Sequence, residues 1–211
     1  MPQGKFIVIE GIDGSGKSTQ LALLEQFLTQ QGIPFALHCE PTKGAMGLLL
    51  REYLSGKRTA DELAIAGLFT ADRLDHITAQ STGIKALLAQ GINVICDRYY
   101  FSSYAYNCHS YGLDAVLLLN KACAQLLRPD LTVFIDVPVS LAMERIAQTR
   151  TEREIYENEK YLQAVRKRYF AAFERVKSEE SIVIADGTYP PGEVSRIIRE
   201  HLRYTIGANK K

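Results

Sequence analysis

Five short apolar runs punctuate the chain, and between them apolar positions recur every three or four residues. Phe6-Ile7-Val8-Ile9 is the first run, and beyond the glycines that follow it Leu21, Leu24, Phe27 and Leu28 fall at helical spacing. Phe35-Ala36-Leu37-His38-Cys39, after a Gly32-Ile33-Pro34 turn, reads as a second strand. Val94-Ile95-Cys96, Thr132-Val133-Phe134-Ile135 and Ile182-Val183-Ile184 read as three more. Helical patterns occupy about 45–54, 61–90 with a break near Gly83, 113–127, 139–148, 156–178 and 192–203. Strands that are apolar on both faces need cover on both sides, which points to a parallel sheet rather than a half-wet antiparallel one. With right-handed crossovers this is an α/β fold: a doubly wound, parallel five-stranded sheet with helices on both faces, one domain over residues 1–211.

Arg150-Thr151-Glu152-Arg153-Glu154 is charge-rich and lacks a core-facing pattern. It reads either as a mobile lid at about 148–156 or as a solvated helical turn.

The strongest chemical signal follows the first strand. Gly11-Ile12-Asp13-Gly14-Ser15-Gly16-Lys17-Ser18 fits G-x-x-x-x-G-K-[ST], with a strand before it and a helix after. Glycines let the backbone turn its N–H groups toward a phosphate, and the helix N-terminus adds a favourable dipole. Lys17 is placed to reach the β- and γ-phosphates, and the Ser18 hydroxyl to ligate Mg²⁺, with Thr19 next to it on the loop's exit. The motif implies nucleoside triphosphate binding and leaves open a kinase, a hydrolase or a switch. Asn120-Lys121-Ala122-Cys123 is the nearest approach to a guanine-reading Asn-Lys-x-Asp, and it lacks the acid.

The bulk numbers narrow the classes. Net charge is +1 over 211 residues, which argues against a non-specific nucleic-acid binder. Hydrophobic residues at 46% and charged ones at 23% are ordinary for a globular protein. Cys39, Cys96, Cys108 and Cys123 form no CxxC pair, so a reduced, cytoplasmic protein is expected rather than a disulfide framework. No apolar stretch nears the 18 or so residues of a membrane span, and Met1–Lys5 shows no charged-then-apolar pattern, so no membrane targeting is expected.

A second ligand site is indicated past the other strands, since polar groups at the carboxyl ends of parallel strands face the crevice of an open sheet. Asp97-Arg98 follows the third strand: the arginine suits a bidentate grip on phosphate, and Asp97 suits an Mg²⁺-bound water or a lock on the arginine. The pair also reads as a simple strand-end cap. Phe69 and Arg73, four apart on one helical face, can stack on a base and bond its edge, or be a core ring and a surface charge. Ser102-Ser103-Tyr104-Ala105-Tyr106-Asn107 and Glu40-Pro41-Thr42 lie on the same crevice side.

Taken together, Gly11–Ser18, Glu40-Pro41-Thr42, Leu68-Phe69-Thr70-Ala71-Asp72-Arg73, Asp97-Arg98-Tyr99 with Ser102–Asn107, and the arginine-bearing flap resemble thymidylate kinase in order and spacing, from about residue 5 to 200. The resemblance implies a P-loop nucleoside monophosphate kinase fold, ATP as donor, dTMP as acceptor, Mg²⁺ and a homodimer. It implies that Phe69 stacks on thymine, that Arg73 bonds the base edge, and that Arg98 and Arg51 hold the acceptor phosphate. Ser103 and Asn107 match polar groups near the ring, and Tyr106 matches the aromatic that packs on the sugar. Asp13 matches the loop acid that receives the 3′-hydroxyl; a carboxylate beside phosphates must point away from them, although a turn-forming Asp before Gly14 reads equally simply. The loop carries no arginine, so the resemblance is to the subtype whose catalytic arginine sits on the lid: Arg153 first, then Arg150. Arg145 and the turn Asp186–Pro190 match its donor-nucleotide contacts. One stretch departs from the common pattern, Thr42-Lys43-Gly44 standing where many bacterial relatives have two glycines after Glu-Pro. Outside the family, another small P-loop kinase or a P-loop hydrolase or switch remains.

Overall fold

The computed structural model describes residues 3–149 and 158–207. All five expected strands form: β1 (Phe6–Glu10), β2 (Phe35–Cys39), β3 (Asn93–Asp97), β4 (Leu131–Asp136) and β5 (Ile182–Asp186). They make one parallel sheet in the order β2-β3-β1-β4-β5. β1, β3 and β4 are buried nearly end to end, whereas β2 and β5 are edges and only partly covered. Alternate residues feed two cores. Ile7, Ile9, Ile95 and Val133 meet Leu24 and Phe27 of α1 (Lys17–Gln30) and Val194, Ile198 and Leu202 of α9 (Pro191–Thr205). On the other face Phe6, Val8, Cys96 and Phe134 meet residues of α5 (Tyr100–Tyr106), α6 (Gly112–Leu126) and α8 (Glu159–Val176). Each fully buried aliphatic or aromatic side chain there stabilises by about 1.5–3 kcal/mol relative to exposure.

The remaining helices are α2 (Ala45–Leu54), α3 (Glu62–Thr78), α4 (Ile84–Ala89) and α7 (Val139–Thr149). The Asp61 side chain caps α3 by accepting from Leu63 N at 2.8 Å. The break expected near Gly83 is real: a Cβ at that glycine would lie 2.4 Å from the Ala79 carbonyl oxygen, to which its own N–H donates at 3.0 Å. Helix α5 is an addition to the expected elements. Its sequence, YFSSYAY, shows no polar face because the helix packs against both α6 and α8. Helix α8 is capped by Asn158, whose side chain accepts from Tyr161 N. Arg150, Arg153 and the expected lid segment lie largely outside the described residues. Among the described residues no helix is long and apolar enough to cross a membrane.

β1 sits between β3, reached after β2, and β4, so the winding direction reverses at β1. Crevices open at such a reversal, beyond the strands' carboxyl ends.

Candidate active site

The loop Gly11–Gly16 leaves β1 and enters α1. Gly14 has φ 76°, and a Cβ there would approach the Ala142 carbonyl to 2.3 Å, so no side chain fits. Gly16, also left-handed at φ 100°, stands at the N-cap of α1 without a capping side chain, which leaves the first helical N–H groups facing the loop. Lys17 is buried and donates from Nζ to the carbonyls of Gly11 at 3.1 Å and Ile12 at 3.3 Å. Burial, then the Arg98 charge, push its pKa down; Asp13, Asp97 and Glu10 oppose them. Ser18 and Thr19 are exposed on the outer side of the helix start. Ser15 Oγ and Asp97 Oδ1 are buried with no hydrogen-bond partner among the described residues. Behind the loop a small cavity of about 130 Å³ is lined by Ser15, Gly16, Thr19, Arg145, Gly187 and Tyr189. Arg145 spans it, donating to the carbonyls of Ser15 at 3.3 Å and Gly187 at 3.0 Å.

On the β2–β3 side of the loop lies a larger cavity of about 460 Å³. Asp13 reaches it from the loop, Glu40 from the end of β2, and Arg51 from α2. Phe69 and Arg73 reach it from α3. Arg98, Ser103, Tyr106 and Asn107 reach it from the end of β3 and from α5. The nine residues singled out for an acceptor thus share one hollow, which the phosphate loop borders through Asp13.

Arg98 is held in a left-handed backbone conformation, φ 69°, unusual for a residue with a side chain. Its N–H donates to Ile9 O at 3.0 Å, and its guanidinium pairs with Asp13 and donates to Ser102 Oγ at 3.1 Å. It also lies 5.0 Å from the Tyr106 ring centroid, and the Tyr106 hydroxyl donates to the other Asp13 oxygen at 3.0 Å. Burial works most strongly against the Arg98 charge, but Asp13, Tyr106, Tyr169 and Asp97 together outweigh it and the pKa stands well above the ordinary value. Behind this group is Glu10, which sequence reading missed. It accepts from Tyr99 N at 2.8 Å, Ser102 N at 3.2 Å, Ser102 Oγ at 2.7 Å and Tyr169 hydroxyl at 2.9 Å. Burial raises its pKa, and Arg98 and these donors offset part of that.

Arg73 is 1% exposed, so it is no surface charge. Nε and one terminal nitrogen meet Glu40 Oε2 at 2.8 and 2.7 Å; the other nitrogen donates to Ser103 Oγ at 3.2 Å and to Asn120 Oδ1. The guanidinium carbon is 5.2 Å from the Tyr99 ring centroid. Arg51, by contrast, is exposed and donates to the carbonyls of Pro41 at 2.6 Å and Gly47 at 3.0 Å, and to that of Thr42. Thr42 is anchored in turn by Asp72, which accepts from its N–H at 2.8 Å and its hydroxyl at 2.6 Å. Asn120, Asp72, His76 and Glu10 gave no local sequence signal, because each acts across more than 28 residues of chain. Asp72 itself nevertheless lies within the Leu68–Arg73 stretch.

A triphosphate end held by the loop would face the larger cavity across Asp13, and paired hollows of this kind define the P-loop kinases of small molecules. The family model described as thymidylate kinase matches residues 9–198. A probable thymidylate kinase of Methanococcus aeolicus is 40% identical over 166 residues, 78% of this chain and 77% of that protein. The thymidylate kinases of Fervidobacterium nodosum and Carboxydothermus hydrogenoformans are 35% and 36% identical, covering 92% and 91% of this chain and 95% and 93% of theirs. The chain belongs to the thymidylate kinase family.

Proposed function

We propose that the protein transfers the γ-phosphoryl group of ATP to dTMP, giving dTDP and ADP. The observation that carries this reading is the shared hollow: Phe69, Arg73 and Arg98 line one cavity, and the phosphate loop borders it through Asp13. In this reading the dTMP phosphate sits between Arg98 and Arg51, thymine lies on Phe69 with its edge at Arg73, and Ser103 and Asn107 add polar contacts. Tyr106 packs on the sugar, and Asp13 receives the 3′-hydroxyl. An acceptor phosphate oxygen attacks the γ-phosphorus while the bond to the β-bridging oxygen breaks, and ADP leaves with that electron pair. Little covalent chemistry is asked of the chain; alignment and charge neutralisation carry the rate.

Lys17 exchanges its two carbonyl partners for donor phosphate oxygens. The buried, unpartnered Asp97 Oδ1, near enough to Lys17 to raise that lysine's pKa, suits a divalent cation shared with Ser18. Mg²⁺ held there with the donor would neutralise the β- and γ-oxygens. Arg153, with Arg150 as the second choice, brings the remaining positive charge from the lid at about 148–156, outside the described residues. An arginine so placed is worth on the order of 10³–10⁵ in rate. Arg145, across the small cavity, belongs to the donor side. The proposal includes one kinase domain over 1–211, a cytoplasmic homodimer, and no nucleic-acid partner.

Initial rates with dTMP, UMP and CMP as acceptors at fixed ATP test the reading. dTMP is expected to dominate. A preference for UMP or CMP would reject the assignment, and ATP turnover indifferent to any acceptor would replace it with a hydrolase.

A further inference from the structure

A chain of polar side chains runs from the outer edge of the sheet to the cavity wall, and no nucleotide contact accounts for its outer half. His38 lies on edge strand β2, partly exposed; His76 is buried on α3, one turn beyond Arg73. Their rings are nearly parallel, 12° apart, with His38 Nδ1 2.6 Å from His76 Nε2. His76 Nδ1 is 3.0 Å from Glu40 Oε1, while Oε2 of the same carboxylate takes Arg73. An ionised carboxylate only accepts, so His76 donates from Nδ1. Its Nε2 then carries a lone pair, and His38 donates to it from Nδ1. Without His76, Glu40 Oε1 becomes a buried acceptor without a donor, free to swing about its remaining contact with Arg73.

We propose that His76, backed by His38, is a positioning residue for the acceptor: the pair pins Glu40, and Glu40 holds the Arg73 guanidinium at the cavity wall. The proposal rests on reading that cavity as the dTMP site.

The other groups facing the pair come from the neighbouring strands and helices. Cys96 stands opposite His38 across the β2–β3 register, Cys39 is adjacent on β2, Tyr99 lies by Arg73, and Cys123 comes from α6. Burial pushes all four upward in pKa, so they stay neutral below about pH 8. Glu10 and Asp97 from the neighbouring strands, and Arg51 and Lys43 beyond Cys39, supply the further charges. Burial, then His76, push His38 below the ordinary imidazole value.

Steady-state kinetics of His76→Ala, His76→Asn and His38→Ala test the idea, with imidazole ¹⁵N spectra of a chain holding four histidines. His76→Ala is expected to raise KM for dTMP about tenfold, the loss of one hydrogen bond to a charged group, with KM for ATP unchanged. His76→Asn, whose side-chain N–H₂ replaces the Nδ1 donor, should recover most of that. An unchanged dTMP KM in His76→Ala, an equal rise for ATP, or an Asn variant no better than Ala would each overturn it. If His76→Ala does not fold, His38→Ala still decides, since it must raise KM for dTMP about two- to threefold and move the His76 resonances. Arg73→Ala separates the two readings: an unchanged dTMP KM there defeats the acceptor site itself, whereas a raised one with His76→Ala silent defeats the brace alone.

Discussion

Glu10 offers a substitution whose effects on stability and on activity should have opposite signs. Its carboxylate is wholly buried at the end of β1, and desolvation raises its pKa despite Arg98 and four donors. Keeping that charge therefore costs the folded state free energy. In Glu10→Gln the amide oxygen takes the two backbone N–H groups of Tyr99 and Ser102. The amide N–H₂ faces two hydroxyls, Ser102 and Tyr169, which can turn to accept. The two hydroxyls, 2.9 Å apart, keep one bond between them and one hydroxyl hydrogen loses its acceptor, but the buried charge is gone, so Tm at pH 7.5 should hold or rise. Because the folded pKa is raised, the wild type loses stability as pH climbs above the ordinary value of 4.5, and the variant does not. The Tm gap between them should accordingly widen as pH climbs above 4.5 through the raised folded pKa, and level off beyond it. Activity should fall instead. Ser102 Oγ is also the acceptor for Arg98, so reversing its other bond and removing the anion loosens the arginine. A charge-assisted hydrogen bond of about 1.5–3 kcal/mol corresponds to a loss of about 10- to 150-fold in kcat/KM for dTMP. Glu10→Ala is the contrast: two backbone N–H groups lose their acceptor at about 1–3 kcal/mol each. At about 2–4 °C per kcal/mol for a chain of this size, Tm should drop by about 5–20 °C. Thermal unfolding and ADP release at saturating ATP are the assays. A Glu10→Gln protein that melts more than about 5 °C below wild type, or that keeps full kcat/KM for dTMP, would refute the reasoning.

Arg98→Ala should cut kcat/KM for dTMP by about 10²–10³ while KM for ATP stays near wild type; equal losses for both nucleotides would count against its role. Arg153→Ala should lower kcat with both binding constants unchanged, and undiminished turnover would move the catalytic charge to Arg150. Phe69→Ala removes a stacking face worth about 1–3 kcal/mol, so calorimetric Kd for dTMP should rise about 5- to 150-fold with ATP unaffected.

What could be read from the chain follows how local each signal is. The central strands were legible because burial on both faces forces an unbroken apolar run, as in Phe6–Ile9. The loop Gly11–Ser18 was legible because its backbone geometry demands glycine at fixed offsets, as the contact of Gly14 with Ala142 makes plain. Helix α5 was not, since a helix covered by neighbours on two sides loses the polar stripe that marks one. Arg73 shows the same limit from the other direction. Its helical spacing to Phe69 was evident, but its burial depends on Glu40, Ser103 and Asn120, which lie 33, 30 and 47 residues away. Periodicity cannot announce a partner at that distance. Asn120 even sat in plain view, within a stretch considered only as a failed guanine-reading motif.

The cations of the site differ in what they hold, and that difference orders their roles. Arg73 meets a buried carboxylate and two neutral acceptors, so its position is set before any ligand arrives. Such a residue can discriminate an uncharged base edge without being drawn off by phosphate. Lys17 and Arg51 rest on backbone carbonyls, neutral acceptors that an anionic oxygen outcompetes because charge-assisted hydrogen bonds are about twice as strong. Arg98 stands between these cases, tied to Asp13 yet close enough to Lys17 to depress that lysine's pKa. Two anions entering from opposite sides of Asp13 would relieve this mutual repulsion. In the proposed function the fixed arginine supplies selectivity, and the two carbonyl-bound cations supply the grip.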